Sequence, residues 1–224
     1  MLKRCSNLKT IRDLIRFCTS FFEASKISFG QGTNNAFDEA IFIIFSYLKL
    51  PFDQSEIFLD SKLTSKEIDA LYNIFDRRVS ERLPAAYLLR EAWQFDYKFY
   101  VDERVIIPRS LIAEFLVKGL EPWVDDVQNV KNVLDLCCGS ACLSIIASKN
   151  FPNAEIDAVD LSKEALQVAK INLEMYGLQK KVKIHHGDLF SALPKNSKFD
   201  VIITNPPYVS PKKMASLPPE FKAE

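Results

Sequence analysis

A turn near the carboxyl end of the chain combines residue types that can hold a planar NH2 group. An apolar run at Val201–Thr204 is followed by Asn205-Pro206-Pro207-Tyr208. Each proline fixes its own φ and lacks a backbone donor, so the Asn205 side-chain oxygen and the Pro206 carbonyl stand as rigid acceptors. Two fixed acceptors orient an amide or aromatic amine nitrogen for attack on an electrophile, and the Tyr208 ring can press against the planar group. The alternative is an ordinary strand-ending loop, where Asn-Pro and Pro-Pro are common.

A second segment predicts a ligand-binding loop. Residues 130–136 predict a buried strand, which leads into Cys137-Cys138-Gly139-Ser140-Ala141-Cys142 and then into an apolar helix. Small residues let a ligand approach the backbone, and the N–H groups of the new helix can hold a carboxylate. A dinucleotide fingerprint would require further glycines beside Gly139, so the loop gives little support to NAD.

Acidic residues follow the next two predicted strands. Residues 155–159 end at Asp160, about twenty residues beyond the loop, where a carboxylate can accept both hydroxyls of a ribose. Residues 181–187 lead to Asp188, whose carboxylate can accept from an adenine amino group while Leu189 or Phe190 lies against the ring. Together with the loop, these residues predict a site for an adenosine-bearing ligand.

The first half of the chain has helical periodicity. Apolar residues from Leu8 to Phe22 predict one helix, residues 38–50 predict a second that ends before Pro51, and Thr64-Ser65-Lys66-Glu67 is a capping box that opens a third. The Gly30-Gln31-Gly32-Thr33-Asn34-Asn35 loop can be a simple helix connection, with Asn35 or Asp38 as a cap. The alternative, contact with a substrate, is implied only by the family resemblance given below.

The rest of the chain predicts a hairpin and a parallel sheet. Alternating apolar residues from Trp93 to Val101 resume after Asp102-Glu103, which predicts a hairpin between the two halves. Strands are expected near residues 131–136, 155–160, 181–186 and 199–204. The fourth is expected at an exposed edge, where its apolar residues are an aggregation risk.

Composition narrows the classes of partner. The 224 residues contain 29 basic and 29 acidic side chains, so charge gives no reason to expect nucleic acid. The five cysteines lack both finger-like zinc spacing and the context of a small secreted protein, so we expect reduced thiols and no metal. No apolar run is long enough for a membrane span and the amino terminus has no signal-peptide core, which predicts a soluble, cytoplasmic protein.

These motifs together resemble a known enzyme family. Residues 130–208 are similar to the cofactor half of a Rossmann-like, class I S-adenosylmethionine-dependent methyltransferase. Residues 29–40, Arg82-Leu83-Pro84-Ala85-Ala86-Tyr87-Leu88 and residues 99–110 closely resemble the glutamine methyltransferases of the third large-subunit ribosomal protein. The sister family acting on peptide release factors usually has Pro-Arg-Pro-x-Thr-Glu, whereas this chain has Pro108-Arg109-Ser110.

The resemblance implies an organisation and a set of site residues. It implies a helical substrate-recognition domain at 1–90, a hairpin linker at 91–108 and a partial methyltransferase domain with an incomplete sheet at 109–224. The implied cofactor is S-adenosylmethionine, and the implied partner is the ribosomal protein. The implied catalytic residues are Asn205, Pro206, Pro207 and Tyr208, and the implied cofactor-binding residues are Asp135, Cys137, Gly139, Ser140, Asp160, Leu161, Asp188, Leu189 and Asn205.

The chain departs from the family in two places. Ala141 stands where the family usually has Gly, which is costly only if the residue has a positive φ. The family also continues past Phe221 with further strands and a helix, so we expect a truncated product with reduced activity. Three alternatives remain: a release-factor methyltransferase, an adenine amino methyltransferase, and an inactive remnant that only binds its partner. Arg109 can meet a carboxylate of substrate or cofactor, or only a surface acid, and His185 and His186 are predicted to be structural.

Overall fold

The structure is a computed structural model that describes residues 7–224, apart from the side chain of Pro211. One compact unit runs to Glu91 and includes Pro211–Glu224, and the other is Ala92–Ser210. The predicted domain of residues 109–224 differs from this division, because residues 211–224 pack with the helices. Residues 1–6, which include most of the segment examined for a signal peptide, lie outside the described part of the chain.

The elements follow one another from helices to an alternating strand and helix pattern. The helices are α1 (Ile11–Ala24), α2 (Ala36–Leu48), α3 (Ser55–Phe58), α4 (Ser65–Ser80), α5 (Ala85–Leu89), α6 (Ile112–Val117), α7 (Cys142–Asn150), α8 (Lys163–Met175), α9 (Pro211–Ser216) and α10 (Pro219–Lys222). The strands are β1 (Ala92–Gln94), β2 (Tyr97–Phe99), β3 (Asn132–Leu136), β4 (Glu155–Asp160), β5 (Val182–His186) and β6 (Val201–Thr204).

Side-chain caps set the ends of the predicted helices. Thr64 Oγ1 accepts the Glu67 N–H at 3.3 Å and Glu67 Oε2 accepts the Thr64 N–H at 2.7 Å, which confirms the capping box of α4. Asn35 Oδ1 accepts the Asp38 N–H at 2.9 Å, so α2 starts at Ala36. Asn35 is therefore a helix cap, one of the two roles predicted for its loop. The apolar faces of α1, α2 and α4 meet in one core through buried residues that include Leu14, Phe22, Ile44, Phe45 and Phe75.

The predicted hairpin forms, but its turn lies elsewhere in the sequence. β1 pairs antiparallel with β2, with Gln94 opposite Tyr97, so Phe95 and Asp96 make the turn. The sequence pattern predicts Asp102 between the two arms of the hairpin, and this position is wrong. Its carboxylate instead accepts from Arg104 Nη2 at 2.6 Å, which closes a local turn and ends the extended chain.

The second unit contains a parallel sheet with the strand order β5-β4-β3-β6. This order confirms the Rossmann-like α/β class and puts β6 at an edge, as predicted. Val133 and Leu134 of the internal strand β3 are fully buried, as is usual for a parallel strand covered on both faces. On β6, Ile203 is buried and Ile202 is 50% exposed, so the apolar run predicted there is only partly covered. Within the described residues, no helix is long and apolar enough to cross a membrane.

Candidate active site

The register of the sheet brings the predicted site residues to one edge. Leu136 lies opposite both Val159 of β4 and Thr204 of β6, and Asp160 lies opposite His186 of β5. Thr204 Oγ1 donates to the Leu136 carbonyl at 3.0 Å, which links the strand before the small-residue loop to the strand before Asn205. Since the carboxyl ends of parallel strands share one edge, the loop and the Asn-Pro-Pro-Tyr turn start from adjacent positions.

The loop after β3 turns by alternating left-handed residues. Cys137, Gly139 and Ala141 have φ values of 59°, 53° and 62°. Ala141 is the residue before α7, and its side chain is fully buried. The sequence left open whether Ala141 needs a positive φ, and the structure answers that it does. Its Cβ therefore carries a strain of about 1–2 kcal/mol that glycine would avoid.

Asp160 fixes the shape of this loop. Its Oδ2 accepts the Gly139 N–H at 2.8 Å, and its Oδ1 accepts the Ser162 N–H at 2.9 Å. An ionised carboxylate offers about four lone-pair positions, so each oxygen keeps capacity for one more donor. Asp160 thus orders the loop and still suits the predicted contact with two ribose hydroxyls.

Asp135 is buried with one oxygen unsatisfied. Its side chain has no exposed surface, and Oδ2 accepts from Ser144 Oγ at 2.6 Å. Its Oδ1 makes no hydrogen bond to any residue that the structure describes. Burial raises the pKa of Asp135 to about 7, because the carboxylate loses water and gains no cation. A positively charged ligand group would relieve this cost.

Sequence reasoning did not find the residues that support the loop. Asn172 is fully buried on α8 and donates from Nδ2 to the carbonyls of Ser140 and Tyr100 at 2.9 and 3.0 Å. Its Oδ1 accepts the Tyr100 N–H at 2.7 Å. Asn172 lies seven residues after Ala165 on the apolar face of its helix, and Ser144 interrupts an apolar helix. A polar residue within the apolar pattern of a helix was therefore the sequence signal that could have identified both residues.

The remaining predicted residues line an open surface. Leu161, Leu189, Phe190 and Tyr208 are 67%, 45%, 56% and 81% exposed, and Asp188, Asn205, Pro206 and Pro207 are also exposed. This surface contains apolar side chains, an acid and the two acceptors of the turn. Its apolar side chains can stack on a planar base, and its acceptors can receive an amide.

The other candidate groups have local partners. Burial raises the pKa of Cys142 to about 12 and that of Cys138 well above its ordinary value, so both thiols stay neutral. His185 Nε2 lies 2.6 Å from Asp157 Oδ1, in line with the predicted structural role. Arg109 Nη1 donates to the Ile107 carbonyl at 3.3 Å, which favours neither of its predicted roles.

A cavity of about 420 Å³ in the helical unit contains none of the predicted site residues.

Comparison with known proteins finds close relatives. Residues 113–218 match the domain described as "Methyltransferase small domain". The chain is 52% identical to the ribosomal protein uL3 glutamine methyltransferase of Burkholderia pseudomallei, covering 96% of this chain and 72% of that protein. The proteins of the same name from Bordetella pertussis and Bradyrhizobium diazoefficiens are 48% and 44% identical, over 97% of this chain and 72% and 70% of theirs. A solved S-adenosylmethionine-dependent methyltransferase from Agrobacterium tumefaciens is 23% identical, with a TM-score of 0.41 over 52% of this chain and 39% of that one.

The left-handed Ala141 predicts an unusual response to glycine. Ala141→Gly should change the free energy of unfolding by less than about 1 kcal/mol, because relief of strain offsets the lost methyl and the added freedom of the unfolded chain. Ala147→Gly, at a fully buried and helical position of α7, is the matched control and should cost about 1–3 kcal/mol. Urea titrations followed by circular dichroism measure both, and equal losses would contradict strain at Ala141.

The raised pKa of Asp135 predicts a pH-dependent stability. Its folded pKa of about 7 lies above the ordinary value of 3.8, so the folded state binds the proton more tightly. The stabilising contribution of the protonated Asp135 to the free energy of unfolding is fully present below about pH 4, and it is lost as the pH rises through 7. Asp135→Asn keeps an acceptor for Ser144 and cannot ionise. Urea titrations should show its stability relative to the parent rising between pH 5 and pH 8 by a few kcal/mol, on the order of 1.4 per pKa unit. A constant difference would contradict the assignment.

Proposed function

The chain belongs to the family of ribosomal protein uL3 glutamine methyltransferases, and from this membership we propose that it methylates a glutamine side-chain amide of uL3. S-adenosylmethionine is the methyl donor. The observation that supports this function best is the joint position of two features at one edge of the sheet: the small-residue loop after β3 and the exposed Asn-Pro-Pro-Tyr turn after β6. One suits the donor and the other suits a planar amide.

The residues present fit S-adenosylmethionine. This cofactor carries positive charge on its sulfonium and its amino group, and the unsatisfied, buried Oδ1 of Asp135 is complementary to a cation. Asp160 would hold the ribose, and Asp188 with Leu189 and Leu161 would receive the adenine. Cys137, Gly139 and Ser140 form the loop that the remainder of the cofactor would follow. This assignment of roles extends the sequence prediction and rests on the burial and hydrogen bonds described above.

The chain's own residues act by positioning the amide. When bound, S-adenosylmethionine supplies an electrophilic methyl group. Asn205 Oδ1 and the Pro206 carbonyl accept the two N–H groups of the glutamine amide, Pro207 keeps the turn rigid, and Tyr208 packs on the amide plane. With the cofactor bound, the amide nitrogen held in this way would be aimed at the methyl group that the sulfonium releases, and the nitrogen would give up its proton to water. Correct orientation of a strong electrophile and a weak nucleophile lowers the activation free energy by several kcal/mol. The upper limit, for ideal alignment, is roughly 7–11 kcal/mol.

The partner and the place of action follow from the substrate. The balanced charge of the chain favours recognition of the protein over free nucleic acid. We place the reaction in the cytoplasm, where newly made ribosomal protein is available. The exposed turn is consistent with a macromolecular substrate, since nothing in the second unit encloses Asn205 to Tyr208.

Methyl transfer to purified uL3 tests the function directly. The protein is incubated with radiolabelled S-adenosylmethionine and uL3, and the modified peptide is identified by mass spectrometry. Label on a uL3 glutamine, with none on peptide release factor in a parallel reaction, is the expected result. Label on release factor alone would assign the chain to the sister activity. Absence of label on either protein, from a folded chain that binds the cofactor, would reject the proposal.

Removing the amide acceptor predicts a selective loss of turnover. Asn205→Ala should lower kcat by about 10²–10³-fold, the usual effect of losing one oriented polar group. The Kd for S-adenosylmethionine, measured by isothermal titration, should change little. The control is Asn153→Ala, which removes an exposed amide that donates to Gln128 and should leave both constants unchanged. Equal losses of kcat and cofactor affinity would mean that Asn205 shapes the cofactor pocket and does not hold the amide.

A further inference from the structure

A buried ion cluster lies in the helical unit, outside the site described above. Arg78 of α4 is fully buried, and its Nε donates to Glu39 Oε1 of α2 at 2.6 Å. Arg78 Nη2 donates to the Ser28 carbonyl at 2.7 Å. Charged side chains are rarely buried without pairing, so this arginine is held in one geometry by its acceptors.

The second acid of the cluster comes from the far end of the chain. Glu220 of α10 is fully buried, and its Oε1 accepts the Ser28 N–H at 3.0 Å and Arg82 Nη1 at 3.1 Å. The same oxygen lies 3.7 Å from Arg78 Nη1. The backbone of Ser28 is thus held at its N–H by Glu220 and at its carbonyl by Arg78.

The loop after Ser28 makes further contacts with Glu39 and with the residue that follows Glu220. Thr33 Oγ1 donates to Glu39 Oε2 at 2.8 Å, and the Gly30 N–H donates to the Thr33 carbonyl at 2.7 Å. The Phe221 ring lies against Gly30, where an added Cβ would be 3.2 Å from the ring and the φ is +118°. Residues 220 and 221 therefore supply two of the contacts that shape residues 28–33.

We propose that Glu220 and Phe221 are positioning residues for the loop at residues 28–35, and that this loop contacts the uL3 protein. The proposal rests on the proposed function and adds a residue set to it. Gly32, Asn34 and Phe37 are exposed on this loop and at the start of α2, with Phe37 53% exposed. They offer a partner a polar backbone and one aromatic ring.

The residues that order the loop are close in sequence to the amide-binding turn. Residues 211–224 directly follow the segment that contains the Asn205 to Tyr208 turn. The stretch that leaves the amide-binding turn therefore ends in the cluster that orders the loop. Recognition of the protein substrate then depends on the packing of α10 in the helical unit.

The test separates substrate recognition from folding and from chemistry. Glu220→Gln keeps an acceptor for the Ser28 N–H and removes the charge. Arg82→Gln removes a guanidinium, 34% exposed, that donates to Glu220 and to the carbonyls of Lys26 and Ser25. Steady-state methyl transfer gives KM for uL3 and kcat, and isothermal titration gives the cofactor Kd. Hydrogen exchange measures protection of the amides at residues 28–33. Asp60→Asn is the control, since it breaks an exposed ion pair with Arg12.

For Glu220→Gln we expect KM for uL3 to rise about tenfold, the scale of one charge-assisted hydrogen bond, and exchange at residues 28–33 to accelerate. The kcat and the cofactor Kd should stay within about twofold, and Arg82→Gln should show the same pattern more weakly. A lower melting temperature with unchanged KM would reduce Glu220 to a structural role and overturn the proposal. If the parent protein fails to methylate uL3, the proposed function is wrong, and unchanged exchange at residues 28–33 would separately reject the positioning role.

Discussion

The hydrogen bond from the Gly139 N–H to the Asp160 carboxylate is the constraint on which the site depends. It joins the end of β4 to the loop that follows β3, at 2.8 Å. The loop reverses direction through three left-handed residues, a conformation that needs an external partner to persist. Asn172 holds the same loop at the Ser140 carbonyl, from α8. The β3 to α7 connection is thus fixed from two sides, and the strand pairing with β6 then fixes where Asn205 begins.

Local signals in the sequence were sufficient for much of this fold. The capping box at Thr64, the four parallel strands and the edge position of β6 all follow from short-range pattern and from the rules of strand connection. The hairpin turn was predicted at the wrong place, because Asp102 pairs with Arg104 and Phe95 accepts a left-handed φ of 53°. Alternation alone does not contain either fact.

Contacts between distant segments explain what the sequence did not reveal. Arg78 lies in a helix whose apolar stripe the sequence predicts correctly, yet its charge partners are distant in the chain. Its hydrogen-bond acceptor Glu39 comes 39 residues before it, and Glu220, at 3.7 Å, comes far after it. The packing of residues 211–224 with the helices has no local pattern at all. Asn172 likewise has its partners far away in the chain, at Tyr100, 72 residues earlier, and at Ser140, 32 residues earlier. Of the candidate site, the positions of the acids and of the Asn205 to Tyr208 turn near strand ends were predictable from spacing, but the groups that hold the loop were not.

Two buried ionisable residues in this protein differ in whether other protein groups compensate their charge. Arg78 lies beside the carboxylates of Glu39 and Glu220. Protein groups therefore balance its charge without any ligand. Asp135 accepts from the Ser144 hydroxyl, and no cation pairs with it among residues 7–224, so burial raises its pKa to about 7. A carboxyl left in this state costs stability at neutral pH that one substitution could recover. A cationic group bound beside Asp135 would recover the same free energy, and its binding would then be coupled to the stability of the loop. The unsatisfied acid is therefore a stronger indication of a position complementary to a cation than the loop sequence, which contains only one glycine.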